Sequence, residues 1–285
     1  MATREAATNR IGRSGELVLH YERRGAGTVL LLSHCRSPWH FFPPVTLDDG
    51  CAYTLLVNPS GGLVGGDRLS VRATLGPQAR VLFSTPSANR IYRSLHEPSS
   101  QIVEITVQRG GSLEWIPDKT ILFQGSRFRQ KLHVILEEGA TVLLWDAMAS
   151  GRIARGERWA FANLENEIRM TTATGVSVLE RSRIIPGSDI EGIGMMESWD
   201  YVASLYLVGD AIEGERGTRL EETIGDLLDG CRDRILGGVS ETAVRGLVVK
   251  LLTRSAPDLN TALQSLWAAA RAQLWSLPVP ALRKY

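Results

Sequence analysis

Between residue 27 and about residue 208 the apolar side chains fall in short runs rich in Val, Ile, Leu and aromatics, broken by Gly, Pro, Ser and Asp. Runs at 53–57, 80–83, 102–107, 131–136 and 141–145 have strand length. Those at 102–107 and 131–136 alternate apolar with polar, as a strand with one wet face requires. In 176–184, Val176, Val178 and Glu180 fall on one face of such a strand. Three stretches, 77–84, 111–116 and 139–145, share a further order of turn, small residue, then apolar strand. Each leads into a polar, arginine-bearing loop, at 89–94, 125–130 and 151–158. The units recur about every 30 residues, within the range of stacked or solenoid-like β units, although a two-sheet sandwich of hairpins would give a similar text.

After Gly217 the period changes. Ile224, Leu227, Leu228, Cys231 and Ile235 lie on one helical face, and Val244, Leu247, Val248, Leu251 and Leu252 repeat the spacing. A third helix is predicted from Ser255, which has the capping-box spacing to Asp258, with Leu259, Leu263, Leu266, Ala270 and Leu274 as its stripe; Pro278 and Pro280 end it. The pattern as a whole predicts a mostly β protein. An extended β superhelix or stacked-sheet body over about 16–210 precedes two or three C-terminal α-helices over about 218–277. We expect a single domain, 16–285, behind a flexible tail, 1–15.

Composition narrows the function classes. The 285 residues are 44% hydrophobic and 22% charged, the balance of a folded chain rather than a disordered one. With 32 basic against 31 acidic residues the net charge is +1, so no overall field points to nucleic acid. No apolar run approaches the ~20 residues needed to cross a bilayer, and the polar start with Arg4, Arg10 and Arg13 is not a secretory signal. Three well-separated cysteines, Cys35, Cys51 and Cys231, argue against a disulfide framework and for a reducing cytoplasm.

Candidate chemistry is sparse. Gly61 and Gly66 have the spacing of a phosphate-binding loop, but Asp67 and Arg68 stand where Lys and Ser or Thr are needed, and a carboxylate there repels phosphate. Gly61, Gly62, Gly65 and Gly66 therefore read as a tight backbone bend. His34, Cys35, His40 and Cys51 lack the paired spacing of a zinc site, and the neighbouring aromatic run 39–42 suggests packing instead. Glu114, Asp146 and Glu180 interrupt apolar strands. Buried carboxylates must be paired or coordinated, so each has either an arginine partner, with Arg181 and Arg183 nearest in sequence, or a place on a path for a divalent cation. The arginines of the three loops (Arg90 and Arg93; Arg127 and Arg129; Arg152, Arg155 and Arg158) would gather on one edge if the units stack, a docking surface for an acidic protein. Such a β-scaffold without any metal role is the alternative reading. A dispersed carboxylate site for glycoside hydrolysis, with Trp115 and Trp145 each beside an acid, is a third, but no spacing ties two carboxylates together.

Four segments together resemble the urease accessory protein UreD (UreH) family. Residues 58–67, Asn-Pro-Ser-Gly-Gly-Leu-Val-Gly-Gly-Asp, are similar to its N-P-P-G-G-x-V-G-G-D signature. Residues 85–94, Thr-Pro-Ser-Ala-Asn-Arg-Ile-Tyr-Arg-Ser, resemble T-P-x-A-x-K-x-Y-R-S, and 113–125 resemble L-E-W-x-P-x-x-T-I-x-F-x-G. Gly151-Arg152 with 156–159 resembles G-R-x-x-x-G-E-R-[FW]. Order and spacing agree. Ser60, the Asn89-Arg90 pair and the terminal 283–285 depart from the family pattern. The resemblance implies an extended, mostly β superhelical fold and no catalysis. It also implies partnership with UreF, UreG and the urease apoprotein, including a dimeric assembly through UreF. Nickel would be carried only transiently, with no tightly bound cofactor. Since UreG is the family's GTPase partner, the absent phosphate loop is consistent. Under this resemblance the nickel-route candidates are Asp67 first and Glu180 second.

Overall fold

The computed structural model describes residues 13–187 and 189–282. The chain opens with β1 (Ser14–Arg24) and β2 (Gly27–Arg36), an antiparallel pair, then the two-residue strands β3 (His40–Phe41) and β4 (Val45–Thr46). Eleven more strands follow: β5 (Ala52–Val57), β6 (Arg68–Leu75), β7 (Arg80–Ser84), β8 (Asn89–Ile91), β9 (Ser99–Val107), β10 (Ser112–Trp115), β11 (Thr120–Leu122), β12 (Arg127–Leu136), β13 (Thr141–Ala149), β14 (Asn163–Thr172) and β15 (Gly175–Ile184). The last part holds β16 (Tyr201–Gly209), α1 (Glu215–Asp229), β17 (Ile235–Glu241), β18 (Gly246–Thr253) and α2 (Ala256–Trp275).

Successive long strands alternate between two sheets. One has seven strands in the order β15-β14-β12-β9-β6-β1-β2, and the other runs β17-β18-β16-β13-β10-β7-β5-β3. The central strands of both are parallel and in register, so Val81, Leu113 and Val142 stack in one sheet and Val71, Val103, Leu132 and Ile168 in the other. This is a coiled, solenoid-like β body. The repeat seen in the sequence is its winding. The three crossings from β6 to β7, β9 to β10 and β12 to β13 use the same tight turn, closed by Ala79 N–H to Gly76 O, Gly111 N–H to Gln108 O and Ala140 N–H to Glu137 O. The turns also bond to one another. Gln78 N–H donates to Arg109 O and Gly110 N–H to Glu138 O, while Gly139 N–H ends the ladder on Asp210 Oδ2. The third turn position has positive φ each time, at Gln78, Gly110 and Gly139.

Two cores result. Leu17, Val71, Phe83, Val103, Leu113, Leu132, Val142 and Ile168 fill the space between the sheets. Leu143, Trp145, Leu205 and Val249 face the helices, meeting Leu220 and Ile224 of α1 and Leu263 and Leu266 of α2. The second sheet is thus covered on both faces, which explains the unbroken apolar runs of β13 and β16, whereas β6, β9 and β12 alternate because their outer side is open.

Several expectations are corrected. The helix predicted over 244–252 is strand β18, a nearly continuous apolar run that imitates helical spacing, although of its apolar side chains only Leu247, Val249 and Leu251, on one face, are fully buried. Likewise Ile235 opens β17 instead of extending α1, so the tail adds two strands as well as two helices. Residues 1–12 of the predicted N-terminal tail lie outside the described residues, and β1 already begins at Ser14. Val176 stands on the outer face, apart from Val178 and Glu180, because the β14–β15 register shifts between Met170 and Thr171.

Candidate functional site

The glycine segment folds as a short irregular edge against β8. Leu63 N–H donates to Arg90 O at 2.8 Å, and Tyr92 N–H returns to Leu63 O at 2.8 Å. Glycine is required at 62, where a Cβ would lie 2.3 Å from Arg90 O. Asp67 closes this loop. Its Oδ1 accepts from Arg13 N–H at 2.8 Å and its Oδ2 from Val64 N–H at 2.9 Å, with the residue only 6% exposed. Both oxygens are therefore committed to backbone donors, one within the bend and one just ahead of β1.

Behind the loop lies a cavity of about 70 Å³, lined at its polar end by Asn58, Gly61, Asp118, Thr120, Gln130 and Asp146, with Leu56, Trp115 and Leu132 as apolar wall. At roughly 10–15 Å³ of such volume per molecule it has room for several waters. Asp146, on β13, accepts from Gln130 Nε2 at 2.9 Å and from Asn166 Nδ2 at 2.7 Å. Burial pushes its carboxyl up; the two amide bonds oppose this, and the charge of Glu180 adds to it. Glu180, inward on β15, accepts from the Tyr206 hydroxyl and from Lys250 Nζ. Lys250 also donates to Ser204 Oγ at 2.8 Å. Burial first, then the Glu180 charge, pushes the Tyr206 phenol up, so it remains a donor. Two carboxylates from opposite sheets thus face the space between them, Asp146 with its carboxyl buried and neutral amides on it, and Glu180 with its side chain 31% exposed at the open end and a single ammonium on it.

Gln130 and Asn166 were missed in the sequence, although the signal was there. Each is a polar residue at an inward position of an alternating strand, Gln130 between Phe128 and Leu132 and Asn166 between Leu164 and Ile168. Lys250, a lone charge between Val249 and Leu251, carried a comparable mark, whereas Tyr206 in its apolar strand carried none. Glu114 takes the other course open to a buried acid. It pairs with Arg271 and accepts from Trp267 Nε1 at 2.5 Å, so its arginine comes from α2 and not from the nearby Arg181 or Arg183. Among the described residues no three His, Cys, Asp or Glu converge as a metal group; Cys51 is buried while Cys35 is exposed.

The arginines divide. Arg90 and Arg93 are exposed at the corner made by β8 and β11, where Tyr92, Arg93, Phe123 and Arg152 line a shallow concavity. Arg152 stacks 4.5 Å above the Phe123 ring centroid and is held by Glu157. Arg155 is exposed on a short 3₁₀ turn, and Arg158 is taken up by Asp200 and Glu191. Arg127 and Arg129 are not in a loop; they begin β12 and stand on the open face of the seven-stranded sheet.

The chain is thus a two-sheet, solenoid-like β coil backed by two helices. Comparison with known proteins makes this specific. The family model described as UreD urease accessory protein matches residues 13–284. Urease accessory protein UreD 2 of Streptomyces griseus is 31% identical over 278 residues, spanning 95% of this chain and 93% of that protein. Urease accessory protein UreD of Haloarcula marismortui is 29% identical over 288 residues, spanning 100% and 95%. That of Deinococcus radiodurans is 35% identical over 204 residues, spanning 71% and 73%. The chain belongs to the UreD urease accessory protein family, and its role lies in urease maturation. No helix among the described residues is long and apolar enough to cross a membrane.

Proposed function

We propose that this chain is a non-enzymatic maturation factor that acts in the cytoplasm with UreF and UreG to pass nickel to the urease apoprotein. The observation that carries the reading is the pair Asp146 and Glu180 placed between the sheets, with a cavity running from the glycine loop to Asp146. In this reading the metal is cargo, handed between hard oxygens and released because neither carboxylate offers a closed ligand set. Glu180 is a direct ligand on the route. Asp67 supports the route by fixing the loop at the cavity wall.

The test is urease activation in a host lacking its own copy of this gene, complemented with the wild-type chain or Glu180→Gln. Nickel content of the purified urease and co-purification of UreF are measured alongside. We expect Glu180→Gln to lower activation several-fold at limiting nickel, to recover at high nickel, and to leave the complex intact. Unchanged nickel loading at limiting metal would remove Glu180 from the route. Normal urease maturation in the deletion strain itself would sink the whole reading.

A further inference from the structure

Both helices pack on the sheet that contains β16 and β18, leaving the outer face of the seven-stranded sheet without a helix over it. At the β12–β14–β15 end of that face the outward positions carry Arg127, Arg129, Lys131, Arg169, Arg181 and Arg183 against Glu165, Glu167 and, on the adjoining β9, Glu104. This excess of three positive charges sits on a chain of net charge +1, so the rest of the chain is net acidic. Two of these carboxylates are already shared. Glu165 lies 2.7 Å from Arg129 and 3.9 Å from Arg183, while Glu167 lies 2.8 Å from Arg181 and 2.6 Å from His133. Arg127, Lys131 and Arg169 have no carboxylate within ion-pair range among the described residues. Beside them Ile102, Ile135 and Leu179 are 41%, 53% and 50% exposed on the same face. Uncompensated cations interleaved with exposed aliphatics match an acidic, partly apolar protein surface. Phosphates would meet Glu165 and Glu167 in the middle of the patch.

We propose that this patch docks an acidic, partly apolar protein surface, which belongs to the urease apoprotein in the functional reading on which this inference rests. The docking face is thus a flat sheet, distinct from the arginine corner at Arg90 and Arg93. The experiment uses the full chain co-expressed with UreF and measures its dissociation constant for purified urease apoprotein at low and moderate salt. Lys131→Glu with Arg169→Glu should weaken binding about tenfold or more and flatten its salt dependence. Arg90→Glu with Arg93→Glu should leave it within about twofold, because that corner lies off the docking face. Should the reversed pair melt early, Lys131→Gln with Arg169→Gln replaces it and should weaken binding in the same direction. Wild-type affinity in the patch variants, or loss only in the corner variant, overturns the proposal and leaves the maturation role standing. A wild-type chain that neither binds apoprotein nor is needed for urease maturation overturns both.

Discussion

Replacing Arg271 with methionine tests how the helical layer is held to the β body. The Arg271 side chain is 1% exposed and donates to Glu114, to Asp49 Oδ2 at 2.6 Å and to Pro278 O at 2.8 Å. Asp49 retains Arg80 at 3.2 Å and the Cys51 N–H at 3.0 Å without it, but Glu114, 4% exposed, keeps only the Trp267 indole. Removing one partner of a buried pair leaves an uncompensated charge and destabilises by about 3–5 kcal/mol. In proteins of this size that is a fall in Tm on the order of 10 °C. Adding Glu114→Gln removes the orphaned charge while its amide oxygen can still accept from Trp267, so the double variant should recover at least about half of the loss. The pH response gives a second handle. Burial already pushes the Glu114 carboxyl up and Arg271 draws it back, so the single variant has a folded-state value raised further above the unfolded one. A raised carboxyl contributes stability below its unfolded value that is lost as pH rises through the folded value. Arg271→Met should therefore lose more at alkaline than at mildly acid pH, and the double variant should not. Thermal melts and exchange of the α2 amides measure both effects. A single-variant loss below about 1 kcal/mol, or one that ignores pH, would refute the account of a buried charge latch.

Two further perturbations probe the loops. Gly62→Ala places a methyl 2.3 Å from a backbone oxygen that cannot turn aside, so urea unfolding should show a loss on the order of 2–4 kcal/mol; a change under about 0.5 kcal/mol would contradict the packing. Arg152 holds the Glu157 carboxyl below its usual range through their hydrogen bonds. That contribution is present above the unfolded value and disappears as pH falls through the depressed one, so Glu157→Gln should remove part of the acid-induced destabilisation between about pH 5 and pH 3 in pH-dependent melts.

The alternation in 102–107 and 131–136, the recurring turn-strand units and the capping of α2 by Ser255, which accepts from Asp258 N–H at 3.2 Å, were all written in local spacing. They determined a β body with a helical end, because the side-chain period and the turn chemistry act over a few residues, and left the winding of the strands, stacked or in hairpins, to the tertiary structure. The family motifs were legible for the same reason. Tertiary structure decided what local spacing leaves degenerate. A short, nearly continuous apolar strand and a buried helix segment read alike, and only pairing with β16 and β17 made 246–253 a strand. The fate of each interior acid was decided across the fold as well. Asp67 met backbone donors, Glu114 an arginine from α2, and Asp146 and Glu180 the space between the sheets. A carboxylate's role depends on which partners reach it once it is buried, and those partners lie as far as 157 positions away along the chain.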